Sequence, residues 1–237
     1  IITISDFRQK HIAAGGEGAP LALFGDTILF ASETENRVLL NMGGIANFTY
    51  LPASGDPAGI LVTDTGPGNT LIDAAVRRYF NKAYDEDGAI ARSGKIDSGI
   101  LAELMSLSFF KDKFPKSTGP EYFNLDLVHA SISPADLVAT FTEFTAQSIA
   151  LAMKTYIPSG IDGTVYVSGG GSKNPVIMAR LTDLLPFRVC ESDELGMPSA
   201  AKEAVLFALL ANETLADSPG AERLGDSPWV SLGKISL

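Results

Sequence analysis

The sequence predicts an α/β domain: a mixed β-sheet with helices packed against it. Three observations carry this reading. Three β-like apolar runs lie close together early in the chain, at Arg37–Asn41, Asn47–Leu51 and Ile60–Thr63. A strand, helix, strand, helix series follows, from Thr164 to Ala211. Two of the β-runs end in bare glycine turns, Met42-Gly43-Gly44 and Gly169-Gly170-Gly171.

Taken in order, Ile1–Ile4 is a short β-like run, followed by a polar stretch and a glycine loop from Ala13 to Pro20. Thr27–Phe30 reads as a strand on its β-branched and aromatic residues. Arg37–Asn41 and Asn47–Leu51 flank Met42-Gly43-Gly44-Ile45-Ala46, which suits a hairpin turn. Ile60–Thr63 is a further strand ending at Asp64, and Thr65-Gly66-Pro67-Gly68-Asn69 is expected to be irregular. Asn69 or Thr70 is placed to cap the next helix, with Leu71, Ala74, Ala75 and Tyr79 near core spacing. Ser133-Pro134-Ala135-Asp136 is a helix start, with a Ser cap, Pro in the first turn and an acid three residues on. The apolar face from Leu137 to Tyr156 makes that helix long. Thr164–Ser168 is a buried strand. Asn174-Pro175 starts a helix with Ile177, Met178, Leu181 and Leu185 inward. Phe187–Cys190 is a late strand and Ala200–Ala211 a late helix, with Ala201, Ala204, Ala208 and Ala211 on one face where another helix could cross closely.

At 237 residues and 46% hydrophobic content the chain can bury one large or two small cores. A net charge of -10 argues against nucleic-acid and anionic-membrane partners, which need a clustered positive surface. Phosphate ligands stay open, because backbone amides and Mg²⁺ can hold them. The single cysteine, Cys190, forbids an intramolecular disulfide and suits a reducing cytoplasm, where it reads as a small buried strand residue. No apolar run approaches the ~20 residues of a membrane span. His11 and His129 are far apart and no Cys/His cluster exists, so no metal-ligating site is expected. Asp85-Glu86-Asp87-Gly88 reads as a solvated acidic turn and Arg77-Arg78 as a helix surface pair.

The two glycine turns carry the chemistry. Without β-carbons, Gly43 and Gly44 let backbone N–H groups approach phosphate oxygens, although an ordinary glycine hairpin has the same sequence. Gly169, Gly170 and Gly171 join a buried strand to the helix at Asn174, so amide donors and a helix dipole face whatever sits there. A flexible loop is the competing reading. Glu203 stands away from the alanine stripe, beside Phe207 and Leu210, and is either solvated at a cleft edge or functional.

Together these elements resemble the second lobe of the acetate- and sugar-kinase, heat-shock chaperone and actin superfamily. The resemblance implies a ribonuclease-H-like mixed sheet within a two-lobed actin-like ATPase fold. Asp64-Thr65-Gly66-Pro67-Gly68-Asn69, Pro115-Lys116-Ser117-Thr118-Gly119-Pro120-Glu121, the Ala13–Pro20 loop and the Asn41–Asn47 hairpin are similar to motifs of anhydro-N-acetylmuramic acid kinases. The similarity runs from Ile4 to the C-terminus. It implies a junction segment over 1–30, a nucleotide-binding lobe over 31–215 and a tail over 216–237 returning to the first lobe. The glycine–threonine–serine phosphate loop that opens the family's first lobe does not occur here, so the chain is expected to be part of a longer polypeptide and inactive alone.

The family resemblance further implies ATP and Mg²⁺ as cofactors, a small amino sugar as substrate, a cytoplasmic location and a homodimer. The family uses ATP and water to open 1,6-anhydro-N-acetylmuramic acid, giving N-acetylmuramic acid 6-phosphate. Asp64 is the implied base, although a turn-initiating Asp that bonds its own backbone would look the same. Gly43 and Gly44 would supply phosphate amides, and Gly169, Gly170 and Asn174 would border adenosine. Gly15, Gly16, Glu17 and Pro20 would line the sugar cleft, with Glu203 facing it. A non-catalytic ATP-binding module of the chaperone or actin type, or a phosphohydrolase of the same fold, is the alternative.

Overall fold

The computed structural model describes residues 1–15, 21–113, 115–198, 201–216 and 233–236. Along the chain, β1 (Thr3–Ser5), α1 (Phe7–Ala13) and α2 (Leu21–Phe30) precede three sheet strands, β2 (Asn36–Met42), β3 (Ile45–Leu51) and β4 (Leu61–Pro67). Helices α3 (Thr70–Phe80), α4 (Ala89–Ser93), α5 (Ser98–Met105) and α6 (Pro134–Tyr156) lead to β5 (Gly163–Ser168). Then come α7 (Pro175–Leu184), β6 (Arg188–Glu191), α8 (Lys202–Ala216) and β7 (Lys234–Ser236).

The main sheet runs β4-β3-β2-β5-β6. β3 is antiparallel to both neighbours, while β2, β5 and β6 are mutually parallel. A hairpin-linked trio extended on one side by two parallel strands is the ribonuclease-H-like mixed sheet expected from the sequence. β1 and β7 form a separate antiparallel ribbon.

Strand alternation sends the two sheet faces to different helices. Leu40, Met42, Phe48, Val165 and Val167 turn toward α6 and α7 and join Phe141, Phe144 and Ile149 in the main core. Leu39, Leu51, Tyr166 and Cys190 turn the other way, against Phe30 of α2. Val62 of β4, Leu23 of α2 and Leu210 of α8 complete that second layer. Ser133 caps α6 by accepting from the Asp136 amide at 3.2 Å, with Pro134 in the first turn. Asn174 caps α7 through the amides of Val176 and Ile177.

Several expectations change. Thr27–Phe30 is the end of helix α2, not a strand. Its apolar run packs against α8 and β3, and Thr27 bonds back to the Leu23 carbonyl at 2.8 Å, so tertiary packing overrides β-propensity. Thr65–Pro67 continue β4 instead of leaving it, because β3 remains alongside to pair Ile45 with Pro67 and Ala46 with Gly66. In α3 the buried positions are Leu71, Ile72, Ala75 and Val76, while Tyr79 is exposed. Ala204 and Ala208 of α8 are exposed, and that helix packs through Leu206, Phe207 and Leu210. Asp85 is not solvated: it is buried, and both its carboxylate oxygens accept from the amides of Ile90 and Ala91. Cys190 is buried on β6, and burial pushes its thiol up to about 11.

Candidate functional site

One row of polar residues crosses four adjacent strands. Asp64 on β4 stands opposite Asn47 on β3, Asn47 opposite Asn41 on β2, and Asn41 opposite Ser168 on β5. Directly paired residues project from the same face. The preceding row on that face, Val62, Thr49, Leu39 and Tyr166, lies beneath the layer formed with α2 and α8. The polar row is the next one toward the hairpin end, where Asp64, Asn47 and Asn41 are only half-buried. A bulge between Ala46 and Asn47 re-aims the strand there.

Both glycine turns meet at the end of this row. Gly169 follows Ser168 directly, and a β-carbon on it would fall 2.6 Å from the Met42 carbonyl oxygen and 2.8 Å from Asn41 Oδ1. Gly68 approaches from the β4–α3 turn, where a β-carbon would sit 2.3 Å from the Gly43 carbonyl oxygen. Asn69 clasps the set. Its Nδ2 donates to the Met42 carbonyl at 3.1 Å and to the Gly43 carbonyl at 3.0 Å, and its backbone N–H donates to Gly43 at 2.9 Å. The Gly44 carbonyl accepts from the amides of Gly68 and Thr70 and from Thr70 Oγ1, at 2.7, 3.1 and 2.7 Å.

This clasp has a directional result. In a trans peptide the C=O and N–H of one plane point in opposite directions. With the Met42 and Gly43 carbonyls drawn toward Asn69, the N–H groups of Gly43 and Gly44 turn away from it. Consecutive N–H groups presented by a bare turn form an anion-binding concavity. Sequence reasoning assigned Asn69 to capping α3, but its side chain makes no cap bond and holds the glycine turn instead. The signal for this was the glycines on both sides of the contact, which only the paired register reveals.

Asp64 is gripped from the sheet edge. The Thr118 N–H donates to its Oδ2 at 2.8 Å, and its own N–H donates to the Lys116 carbonyl at 3.0 Å. Burial pushes its carboxyl above the ordinary 3.8, and the Thr118 amide pulls it partly back. A carboxylate whose pKa burial raises is a stronger base than a solvated one.

The other sequence candidates are dispersed. Gly170 is exposed on its turn, 3.8 Å from Asn69 Nδ2 measured from an ideal β-carbon. Asn174 is buried, with its side-chain oxygen committed to the α7 cap. Gly15 ends α1 with φ +91° and is exposed. Gly16, Glu17 and Pro20 lie outside the described residues, as does the side chain of Glu203 in α8. Among the described residues no group of three His, Cys, Asp or Glu is arranged to hold a metal ion. None of their helices is long and apolar enough to cross a membrane. Beneath the polar row a small pocket is lined by Phe30, Leu39, Tyr166, Ser168 and Ser192, among others. Ser192 Oγ is buried there without a hydrogen-bond partner, a feature with no mark in the sequence.

A family model described as "Anhydro-N-acetylmuramic acid kinase" matches residues 1–236. A protein of that name from Pseudoalteromonas translucida is 50% identical over 256 aligned positions, covering 100% of this chain and 62% of the relative. One from Pseudoalteromonas atlantica is 46% identical over 252, again covering 100% of this chain and 62% of the relative. The chain therefore spans a little under two thirds of the curated relatives it matches. Among solved structures, an activator of 2-hydroxyisocaproyl-CoA dehydratase from Clostridium difficile with bound ADPNP aligns at TM-score 0.46 and 17% identity, covering 86% of this chain and 70% of that one.

Proposed function

Since the chain belongs to the anhydro-N-acetylmuramic acid kinase family, we propose that it forms the nucleotide-binding and base-carrying part of an ATP-dependent sugar kinase. The enzyme hydrolytically opens 1,6-anhydro-N-acetylmuramic acid and phosphorylates O6, giving N-acetylmuramic acid 6-phosphate. One observation carries the reading: a polar row that begins at Asp64 ends where two glycine turns meet.

ATP would supply the γ-phosphoryl group, held at the Gly43–Gly44 turn, and Mg²⁺ would neutralise phosphate charge there. The fit is supported by the close meeting of the two turns, where a β-carbon at Gly169 would strike the Met42 carbonyl oxygen at 2.6 Å. Gly43 and Gly44 present N–H groups to phosphate oxygens. Gly169 and Gly170 leave room for the nucleoside, and Asn174 holds the start of α7 beside it. Asp64 takes a proton from the water that attacks the anomeric carbon. The water oxygen bonds to that carbon, the carbon–O6 bond breaks, and O6 takes the γ-phosphoryl group as its bond to the β,γ-bridging oxygen breaks and ADP leaves. The half-buried setting of Asp64 raises its basicity for this step.

Residues 31–215 make up the nucleotide-binding lobe in this reading. Residues 1–30 and the tail 216–237 join the other lobe, with the β1–β7 ribbon as their shared piece. In this reading Gly15, Gly16, Glu17, Pro20 and Glu203 are the candidates for contact with the sugar. The free Cys190 supports a cytoplasmic setting. The assembly is a homodimer, which sedimentation of the full-length protein tests.

The deciding experiment mixes full-length protein with ATP, Mg²⁺ and the anhydro sugar and follows sugar phosphate and ADP. Sugar-dependent formation of both is expected. Asp64→Asn is expected to lower kcat by orders of magnitude with ATP affinity nearly intact. ATP hydrolysis indifferent to sugar would instead favour a chaperone-like module or a phosphohydrolase.

A further inference from the structure

The segment from Pro115 to Gly119 runs along the open edge of β4 as a strap, and its geometry has a purpose beyond edge protection. We propose that Lys116 is a positioning residue for Asp64: it anchors this strap so that the Thr118 amide fixes Oδ2 and leaves Oδ1 as the proton-accepting oxygen. This rests on the kinase reading above.

Lys116 is tied at both ends. Its backbone carbonyl accepts from the Asp64 N–H at 3.0 Å, and its backbone N–H donates to Thr63 Oγ1 at 3.3 Å. Thr63 Oγ1 lies within 3.3 Å of the Lys116 carbonyl as well. The side chain turns the other way. Its Nζ donates to the Phe109 carbonyl at 2.7 Å and sits 4.2 Å from the Phe109 ring centroid and 5.5 Å from that of Phe110. Cation–π contact and a charge-assisted hydrogen bond together make this a firm anchor for a half-buried ammonium.

The anchor plate is itself packed into the core. Phe109 meets Phe123 edge-on at 5.6 Å, and Phe110 meets Phe144 of α6 at 5.7 Å. Phe110 also reaches Gly66, where it lies 3.5 Å from an ideal β-carbon, two residues after Asp64 on the same strand. The strap and the strand it grips are thus referenced to one aromatic cluster on α6. Thr118 follows Lys116 by two residues, so its N–H reaches Asp64 Oδ2 only while the strap holds its register.

A residue that merely protected the edge would affect stability alone. One that orients a base affects turnover with little change in substrate affinity. It also shifts the acid limb of kcat/KM. The Thr118 amide holds the Asp64 carboxyl down against burial, so a loosened strap lets it rise. Activity that needs the carboxylate then begins at higher pH. Among the described residues the charged groups about the strap include Lys116 itself, Asp112, which acts on the ammonium, and Glu121, whose carboxylate lies against Gly119.

The test compares Lys116→Met, which keeps the stem against the rings, with Lys116→Arg and Asp64→Asn in the full-length enzyme. Lys116→Met is expected to lower kcat about 10- to 100-fold with KM for ATP and sugar within about 2-fold, and to move the acid limb upward. The Asp64 carboxyl, followed by carbon NMR titration, is expected to move the same way. Lys116→Arg is expected to recover most of the turnover. If Asp64→Asn is inactive while Lys116→Met keeps the wild-type limb and kcat, the positioning role is overturned and the kinase reading stands. A lower Tm with an unmoved limb and an unmoved carboxyl titration overturns it equally, as a structural role only. If Asp64→Asn remains fully active, the base assignment fails and this inference falls with it.

Discussion

Gly169→Ala tests the meeting of the two glycine turns most directly. Gly169 has φ 84° and ψ 174°, a region open to glycine alone, and forcing alanine there costs about 1–3 kcal/mol. The added methyl would stand 2.6 Å from the Met42 carbonyl oxygen. That oxygen cannot retreat freely, because Asn69 Nδ2 holds it at 3.1 Å. Overlap against fixed backbone adds on the order of 1 kcal/mol or more. The sum is about 2–4 kcal/mol, which for a chain of this size lowers Tm by roughly 5–15 °C. Gly170→Ala is the matched control. Its methyl would find nothing closer than 3.8 Å, so stability should change by less than about 0.5 kcal/mol. Scanning calorimetry separates the two, and calorimetric titration with a non-hydrolysable ATP analogue should show weaker binding for both. A Gly169→Ala protein as stable as Gly170→Ala would refute the close approach of the turn to the hairpin.

Further outcomes follow from the same geometry. Asn69→Ala removes the Nδ2 donor shared by Met42 and Gly43, and is expected to cost about 1–2 kcal/mol in urea unfolding and to weaken ATP-analogue binding. Arg180→Met strands Glu143, which is buried and takes two hydrogen bonds from the guanidinium at 2.7 and 2.8 Å; the loss at pH 7 should be about 3–5 kcal/mol. The Arg180 hydrogen bonds hold Glu143 below its ordinary 4.5, so its stabilising contribution is present above that pH and lost as pH falls through the lowered value. In Arg180→Met burial pushes the carboxyl up against only the Gln147 hydrogen bond, so the stability gap to wild type should narrow in acid, as urea unfolding between pH 7 and pH 4 would show.

Local chemistry made much of this fold legible. Ser133 with Pro134 and Asp136 fixed the start of α6, and Asn174 with Pro175 that of α7, because caps act within one turn. The β2–β3 hairpin was equally plain, since its glycines sit between two apolar runs. What failed depended on distant partners. Thr27–Phe30 has the composition of a strand but lies where only α8 and the back of the sheet are available. The alanine spacing of α8 is a true helical stripe, yet Leu206 and Leu210 supply the contact. Asn69 looked like a cap because the carbonyls it serves are more than twenty residues earlier. Lys116 had no readable role for the same reason: its anchor is the Phe109 carbonyl and ring, and the carboxylate it serves lies across the sheet edge.

The Asn69 clasp joins opposite sides of the same peptide planes. An anion drawing on the Gly43 and Gly44 protons polarises the Met42 and Gly43 carbonyls already bonded to Asn69, and hydrogen bonds in series strengthen one another. Deuterium uptake at the Asn69 amide should therefore slow when nucleotide is bound. The residue that opens α3 becomes a built-in gauge of occupancy, readable by exchange without any label on the ligand.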